Sequence, residues 1–162
     1  MFHLIPAPLH RVALRYAHAA RKLWWRVRRP RISGCRVLVF DPAGRILLIR
    51  HSYGRGGWML PGGGLARGEA PVAAAARELR EETGCGLADA YAVAVLVEPL
   101  WGARNTVHLV AGDTTDAPRP DGREVTTAAF FGVDDLPDDL AGVMQRHLSA
   151  WITAARAARP AR

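Results

Sequence analysis

At 162 residues, with 49% apolar and 23% charged side chains, the chain fits one packed domain and leaves room for one appended element. Its two cysteines, Cys35 and Cys85, form no Cys-x-x-Cys pair, which excludes a thiolate metal site and a disulfide framework and fits a reducing compartment such as the cytoplasm. The formal net charge of +7 suggests nucleic acid until it is divided along the chain. Residues 1–36 hold nine Arg and Lys and no acid, which leaves 13 of the 22 basic groups against all 15 acidic ones, a balance of −2. The basic excess therefore belongs to an N-terminal arm, and nucleic acid is not the expected partner of the main domain.

No apolar run approaches the ~20 residues that span a bilayer. Arg11 and Arg15 interrupt any secretory h-region, although an Arg-rich, acid-free amphipathic start overlaps with a mitochondrial presequence. From Leu9 to Val27 the apolar residues Leu9, Val12, Ala13, Tyr16, Ala20, Leu23, Trp24 and Val27 recur at steps of three and four, one stripe of a basic amphipathic helix. Pro30 stops it, and Arg31-Ile32-Ser33-Gly34 reads as a short linker, so the arm and linker cover residues 1–33. Three uses of the arm compete, in this order: docking on its own domain or a partner subunit of a homodimer, lying peripherally on an anionic membrane surface, and salt-dependent nucleic-acid contact.

The main domain is expected over residues 34–158, with a short tail after it. Cys35–Phe40 and Ile46–Arg50 are strands joined by Asp41-Pro42-Ala43-Gly44, and their near-continuous apolarity predicts cover on both faces. A glycine-rich loop from Ser52 to Gly57 leads through Trp58-Met59-Leu60 into Pro61-Gly62-Gly63-Gly64. Pro71–Thr83 is a helix, with Pro at its first turn and Gly84 at its stop. Strands are predicted at Tyr91–Glu98, Thr106–Ala111 and Ala128–Gly132, a polar loop at Asp113–Gly122, and a closing amphipathic helix at Leu140–Ala158. Strands interleaved with two helices make a mixed α/β layered domain.

The chemistry lies between Gly63 and Cys85. Glu78, Glu81 and Glu82 sit three, four and one apart, so their carboxylates share one region of the helix surface. Such like charges repel and raise one another's pKa, and a hard divalent cation removes the conflict, with carboxylate oxygens suiting Mg²⁺ or Mn²⁺. Val72, Ala76 and Leu79 give the same helix a core side. The glycines before it allow close approach of backbone to a ligand, and the lack of Gly-Lys-Ser/Thr excludes an NTPase P-loop.

Gly63, then Glu69, then Arg77-Glu78-Leu79-Arg80-Glu81-Glu82-Thr83-Gly84-Cys85 resembles the Nudix box at every fixed position, and Trp58 to Gly64 resembles its lead-in. The resemblance extends over roughly residues 35–155 and implies an α/β/α sandwich with a mixed β-sheet. It implies a Mg²⁺-dependent hydrolase that cleaves a phosphoanhydride in a nucleotide-like substrate. ADP-ribose, a dinucleotide, an oxidised nucleoside triphosphate and a nucleotide sugar all stay open. Glu78, Glu81 and Glu82 would be metal ligands, with the Gly62 carbonyl a further one, and Gly63, Glu69 and Arg77 would support the site. Glu124 is the expected further acid from outside the box, as ligand or general base, with Glu98 as runner-up, and a carboxylate of the set Glu78, Glu81, Glu82 and Glu124 would accept the water's proton. Arg50, His51, Tyr53 and Trp58 are the expected substrate contacts, against the alternatives of a satisfied surface pair for His51 and Tyr53 and, ranked first for Trp58, a core or pocket wall. Two departures stand out: Cys85 replaces the usual aliphatic residue, and Ala70 stands where an N-cap Ser or Thr is common. The rival reading is a non-catalytic sensor or nucleic-acid-binding module, against which the intact acid set argues.

Overall fold

The computed structural model describes residues 31–52, 56–100, 103–120 and 122–161. The amphipathic arm, Tyr53 and Trp101 lie outside the described residues. The elements in chain order are β1 (Arg31–Phe40), β2 (Ile46–His51), α1 (Pro71–Thr83), β3 (Ala88–Leu100), β4 (Ala103–Asp113), β5 (Val125–Phe131) and α2 (Gly142–Ala158).

The strands form one mixed sheet in the order β3-β4-β1-β2-β5. β1 and β4 run parallel from Arg31↔Arg104 to Phe40↔Asp113, and the other neighbours are antiparallel. Alternate residues of the central strands therefore face opposite layers. Cys35, Val37, Val39, Leu47 and Val110 pack under α1 with Ala74, Ala75 and Leu79. Leu38, Phe40, Ile46, Leu48 and Leu109 pack under α2 with Met144, Leu148, Trp151 and Ile152. Both faces are covered, which is why β1 and β2 read as unbroken apolar runs. This is the predicted α/β/α sandwich. Among the described residues no helix is long and apolar enough to cross a membrane.

The predicted linker Arg31–Gly34 is strand instead. Its residues pair with Arg104–Val107 of β4, and that tertiary pairing overrides the weak strand propensity of Ser33 and Gly34. Pairing likewise stretches β3 and β4 beyond their predicted ends, through Pro99↔Arg104. Within the stretch read as a tail, the Arg159 guanidinium grips Asp113 at 2.7 and 2.8 Å and lies over the ring of Phe40.

β1 and β2 meet at their turn, where Phe40 pairs with Ile46. There the Asp41 carboxylate accepts the N–H groups of Ala43 and Arg45, and Gly44 adopts a φ of +74°. Further along, the two strands part, and the segment from Trp58 to Leu65 enters the gap. Ile49 and Met59 exchange N–H···O bonds of 2.8 and 3.0 Å. On the other side, Val37 and Cys35 donate to the carbonyls of Pro61 and Gly63, and Leu65 donates to Ser33. The glycine run is thus a short strand-like wedge bonded to β2 at its start and to β1 at its end.

α1 keeps its predicted bounds. Gly84 stops it at a φ of +73°, its N–H donating to the Arg80 carbonyl at 2.9 Å. Ala70 holds the extended conformation of an N-cap but offers no side chain to the first turn. The change Ala70→Ser is therefore expected to stabilise the fold by ~1 kcal/mol in urea unfolding; an unchanged midpoint would show that the first-turn N–H groups already have adequate partners.

Candidate active site

α1 presents Ala74, Ala75, Leu79, Glu82 and Thr83 to the sheet. The predicted core side was rotated: Leu79 is buried, but Ala75 takes the central place given to Ala76, and Val72 packs only at the cluster margin. One consequence concerns Glu82, which is 6% exposed and lies in the seam between helix and sheet. A carboxylate so placed requires hydrogen-bond partners. Its Oε2 accepts the Gly62 N–H at 2.9 Å, and its Oε1 stands 3.8 Å from Nε2 of His51, at the end of β2. The last acid of the helix is thereby fixed to the wedge.

Arg77 organises the others. Its Nε and Nη2 donate to the two oxygens of Glu69 at 2.9 and 3.0 Å, a bidentate pairing. Nη1 donates to Glu78 at 2.8 Å and to Glu81 at 3.3 Å, and Nη2 also donates to the Gly64 carbonyl at 3.0 Å. Glu69 in turn accepts the Ala66 N–H at 2.8 Å. One guanidinium therefore ties three carboxylates to the loop that precedes the helix. It holds the Glu69 carboxyl down at about 2, helped by the Ala66 N–H.

The glycines make room for this packing. A Cβ on Gly62 would overlap the Cys35 carbonyl oxygen, and its φ of +147° is itself unfavourable for an L side chain. A Cβ on Gly63 would stand 2.5 Å from the Glu78 carboxylate. Gly34 matters as well: a Cβ there would be 2.8 Å from the Gly63 carbonyl oxygen, so β1 needs a glycine where the wedge lies against it. Sequence reasoning missed that role because it treated Gly34 as linker.

Glu78 is half-buried, and burial pushes its carboxyl up. Arg77 opposes that shift, while the charges of Glu81 and Glu124 push in the same direction as burial. Glu124 thus joins the acid group from the start of β5. Its backbone carbonyl accepts the Ser52 N–H at 2.8 Å, and the Ser52 hydroxyl donates to the Arg123 carbonyl at 2.7 Å. These bonds place the approach to β5 against the end of β2, where the β2–β5 register shifts between Arg50 and His51. Among the described residues no three acids or histidines already converge as a ligand set; Glu78 and Glu81 turn toward Arg77, and Glu82 toward Gly62.

The remaining candidates lie elsewhere. Glu98 is bound bidentately by Arg36 at 2.8 and 2.9 Å, and Arg36 lies over Trp151 of α2. It sits on the sheet face opposite α1 with its carboxyl held low by that pairing, so it is no base for this site. Trp58 is 8% exposed and meets Phe131 edge-on at 4.7 Å, a core position that leaves little ring face for a base. Arg50 lies over the Trp58 ring at 4.7 Å and pairs with Asp139. Asp139 had no signal in the sequence, since only the fold brings it to Arg50.

The family model of the NUDIX domain matches residues 30–152. The chain is 37% identical over 139 residues to an isopentenyl-diphosphate Delta-isomerase of Streptomyces griseus, covering 77% of this chain and 68% of that protein. It is 45% identical over 60 residues to an RNA pyrophosphohydrolase of Halorhodospira halophila, covering 37% of this chain and 31% of that protein. Among solved structures, a MutT NUDIX hydrolase from Burkholderia pseudomallei superposes with a TM-score of 0.65 at 25% identity, covering 76% of this chain and 97% of that one.

Glu69 supplies a pH test of the Arg77 clamp. Its folded pKa of about 2 lies below the ordinary 4.5, so its contribution to stability is complete above the ordinary value and is lost as pH falls toward the folded one. The stability difference between the native chain and Glu69→Gln is expected to be constant above about pH 5 and to vanish by roughly pH 2 in denaturant titrations. A difference that stays flat through that window would assign the effect to something other than the ion pair.

Proposed function

Because the chain belongs to the Nudix family, we propose that it is a divalent-metal-dependent pyrophosphohydrolase acting on a nucleoside-diphosphate-linked or nucleoside-triphosphate substrate. The observation that carries this reading is the Arg77 clamp, which gathers Glu69, Glu78 and Glu81 beside a glycine wedge whose Gly62 N–H holds Glu82. A surface acidic helix has no need of a buried carboxylate, nor of a guanidinium spent on three others. The name of the Halorhodospira relative, a pyrophosphohydrolase, favours the same reaction class.

The residues fit Mg²⁺ by their chemistry. The donors are oxygens only, and the charges of Glu81 and Glu124 act on the half-buried Glu78 in the same direction as its burial, against Arg77. Glu78, Glu81 and Glu82 would hold the ion. The carbonyls of Pro61 and Gly63 are both taken by β1, so Gly62 supplies the wedge carbonyl that β1 does not engage. When bound, the cation would neutralise charge building on the phosphate oxygens and lower the pKa of the attacking water.

In the proposed hydrolysis a water oxygen bonds to one phosphorus while that phosphorus parts from the bridging oxygen, which leaves with the second phosphate. Glu124 accepts the water's proton, and Glu78 is the second candidate because burial already raises its carboxyl. His51, 3.8 Å from the Glu82 carboxylate, would border the substrate on that side. The free, buried Cys35 and Cys85 suit the cytoplasm proposed for the enzyme.

A second reading follows from the 37% identity with the Streptomyces isomerase. There the diphosphate would stay intact and the double bond of its prenyl chain would shift. That chemistry needs an acid and a base for two different carbons, whereas Arg77 ties Glu69, Glu78 and Glu81 to one guanidinium. Incubation with a nucleotide panel and with isopentenyl diphosphate, with Mg²⁺ and with EDTA, decides between them. Phosphate or monophosphate release only with Mg²⁺ is expected. An allylic isomer without such release would establish the second reading, and tight nucleotide binding without turnover would establish a sensor.

Glu82→Gln keeps an acceptor for the Gly62 N–H and is expected to retain a cooperative melt while losing at least ~100-fold in kcat. Undiminished Mg²⁺-dependent turnover in this variant would remove Glu82 from the ligand set. Glu124→Gln should cost ~10²–10⁴ in kcat with little change in KM, the signature of a lost general base.

A further inference from the structure

We propose that the amphipathic segment Leu9–Val27 of this chain packs its apolar stripe on the β3 face that carries Val95 and Val97. These are the two exposed large apolar side chains among the described residues, at 63% and 55% exposure. Val93, Ala94 and Leu96 of the same strand pack with the α2-side core. By alternation Val95 and Val97 stand on the other face, beyond the reach of α1. The pair forms a small apolar spot on a sheet face that no described element covers, and the case for an occupant rests on what lies beside it.

Three observations select the chain's own arm. First, its point of attachment is at the same end of the sheet. Thr106 of β4 pairs with Val97 on one side and with Ser33 on the other, so Val97 lies two strand spacings, ~10 Å, from the start of β1. The residues between Val27 and Arg31 can span ~14 Å when extended, so the stripe reaches the valines without strain. Second, the arm has a matching surface: Leu23, Trp24 and Val27 fall on the apolar side nearest its attachment. Third, β3 is an edge strand that resists extension by another strand. Register shifts occur between Ala88 and Tyr91 and between Ala92 and Ala94, and Pro99 lacks an N–H. Its exposed face, rather than its edge, is what a partner can use. A tethered segment also holds its stripe near that face at high effective concentration, an advantage that a second copy or a lipid surface lacks.

The test uses the full chain. Trypsin cleavage at the five basic residues of segment 9–27 is compared between the native protein and Val95→Lys/Val97→Lys, with cleavage inside residues 31–161 reporting any loss of fold. Cleavage within residues 9–27 is expected to quicken at least tenfold while the domain stays resistant. Should the lysine pair unfold the domain, Val95→Ser/Val97→Ser carries the same comparison. In parallel, Leu23→Cys combined with Val97→Cys is treated with a short bis-maleimide, the native thiols being buried. The expected product is a cross-linked monomer whose yield is unchanged on tenfold dilution. Equal arm cleavage in native and substituted chains would overturn the proposal. So would a cross-linked dimer that fades on dilution, which assigns the face to a second copy, or arm protection that requires anionic vesicles, which assigns the stripe to lipid.

Discussion

The site depends on a split in the sheet. β1 and β2 join at the Asp41–Gly44 turn and then separate, and the Trp58–Leu65 segment completes the hydrogen bonding of both. Leaving that gap open would strand the N–H groups of Cys35, Val37 and Ile49 in the core, at a cost of about 1–3 kcal/mol each. The wedge is therefore held as firmly as a strand, although it has the composition of a loop. Glycine is required there because the Gly62 and Gly34 positions leave no space for a Cβ between the wedge and β1. What reads as a flexible glycine run is a close-packed seam. Its rigidity fixes the Gly62 N–H that anchors Glu82, and through Gly63 it fixes the room left for Glu78.

Electrostatics complete what packing begins. Of the four carboxylates brought together by α1 and the loop before it, Arg77 binds Glu69, Glu78 and Glu81, while the Gly62 N–H holds Glu82. The guanidinium is planar and offers several donors, so it can bind Glu69 bidentately and still reach Glu78, Glu81 and the Gly64 carbonyl. A lysine could make only a point contact. Glu69 and Arg77 thus form the inner brace, and Glu78 carries the repulsion that remains.

Much of this was legible in the sequence, for identifiable reasons. The bounds of α1 follow from Pro71 and Gly84, which act locally, and the burial of β1 and β2 on both faces follows from unbroken apolarity. The spacing of Gly63, Glu69, Arg77 and the three glutamates marked the candidate site, and the structure ties Glu69, Glu78 and Glu81 to Arg77 and Glu82 to Gly62. What failed was what only pairing decides. Arg31–Gly34 has linker composition and becomes strand because β4 lies beside it. Glu98 has the chemistry of a base and is taken by Arg36 across the opposite face. A rotation of one residue in the core side of α1 separates a solvated Glu82 from a buried one, and periodicity over three apolar positions cannot fix that angle.

The division of charge gives the site its condition for use. The domain beyond residue 36 has a balance of −2, and five of its acids, Glu69, Glu78, Glu81, Glu82 and Glu124, belong to the α1 site, where Arg77 is already bonded to three carboxylates. A polyphosphate approaching this face alone meets like charge at several points. The attraction between such a substrate and four carboxylates can become favourable only if positive charge lies between them. In the proposed chemistry the divalent ion is thus a condition of binding as well as of catalysis. The acids that make the bare site hostile to phosphate are the same ones that would hold that ion.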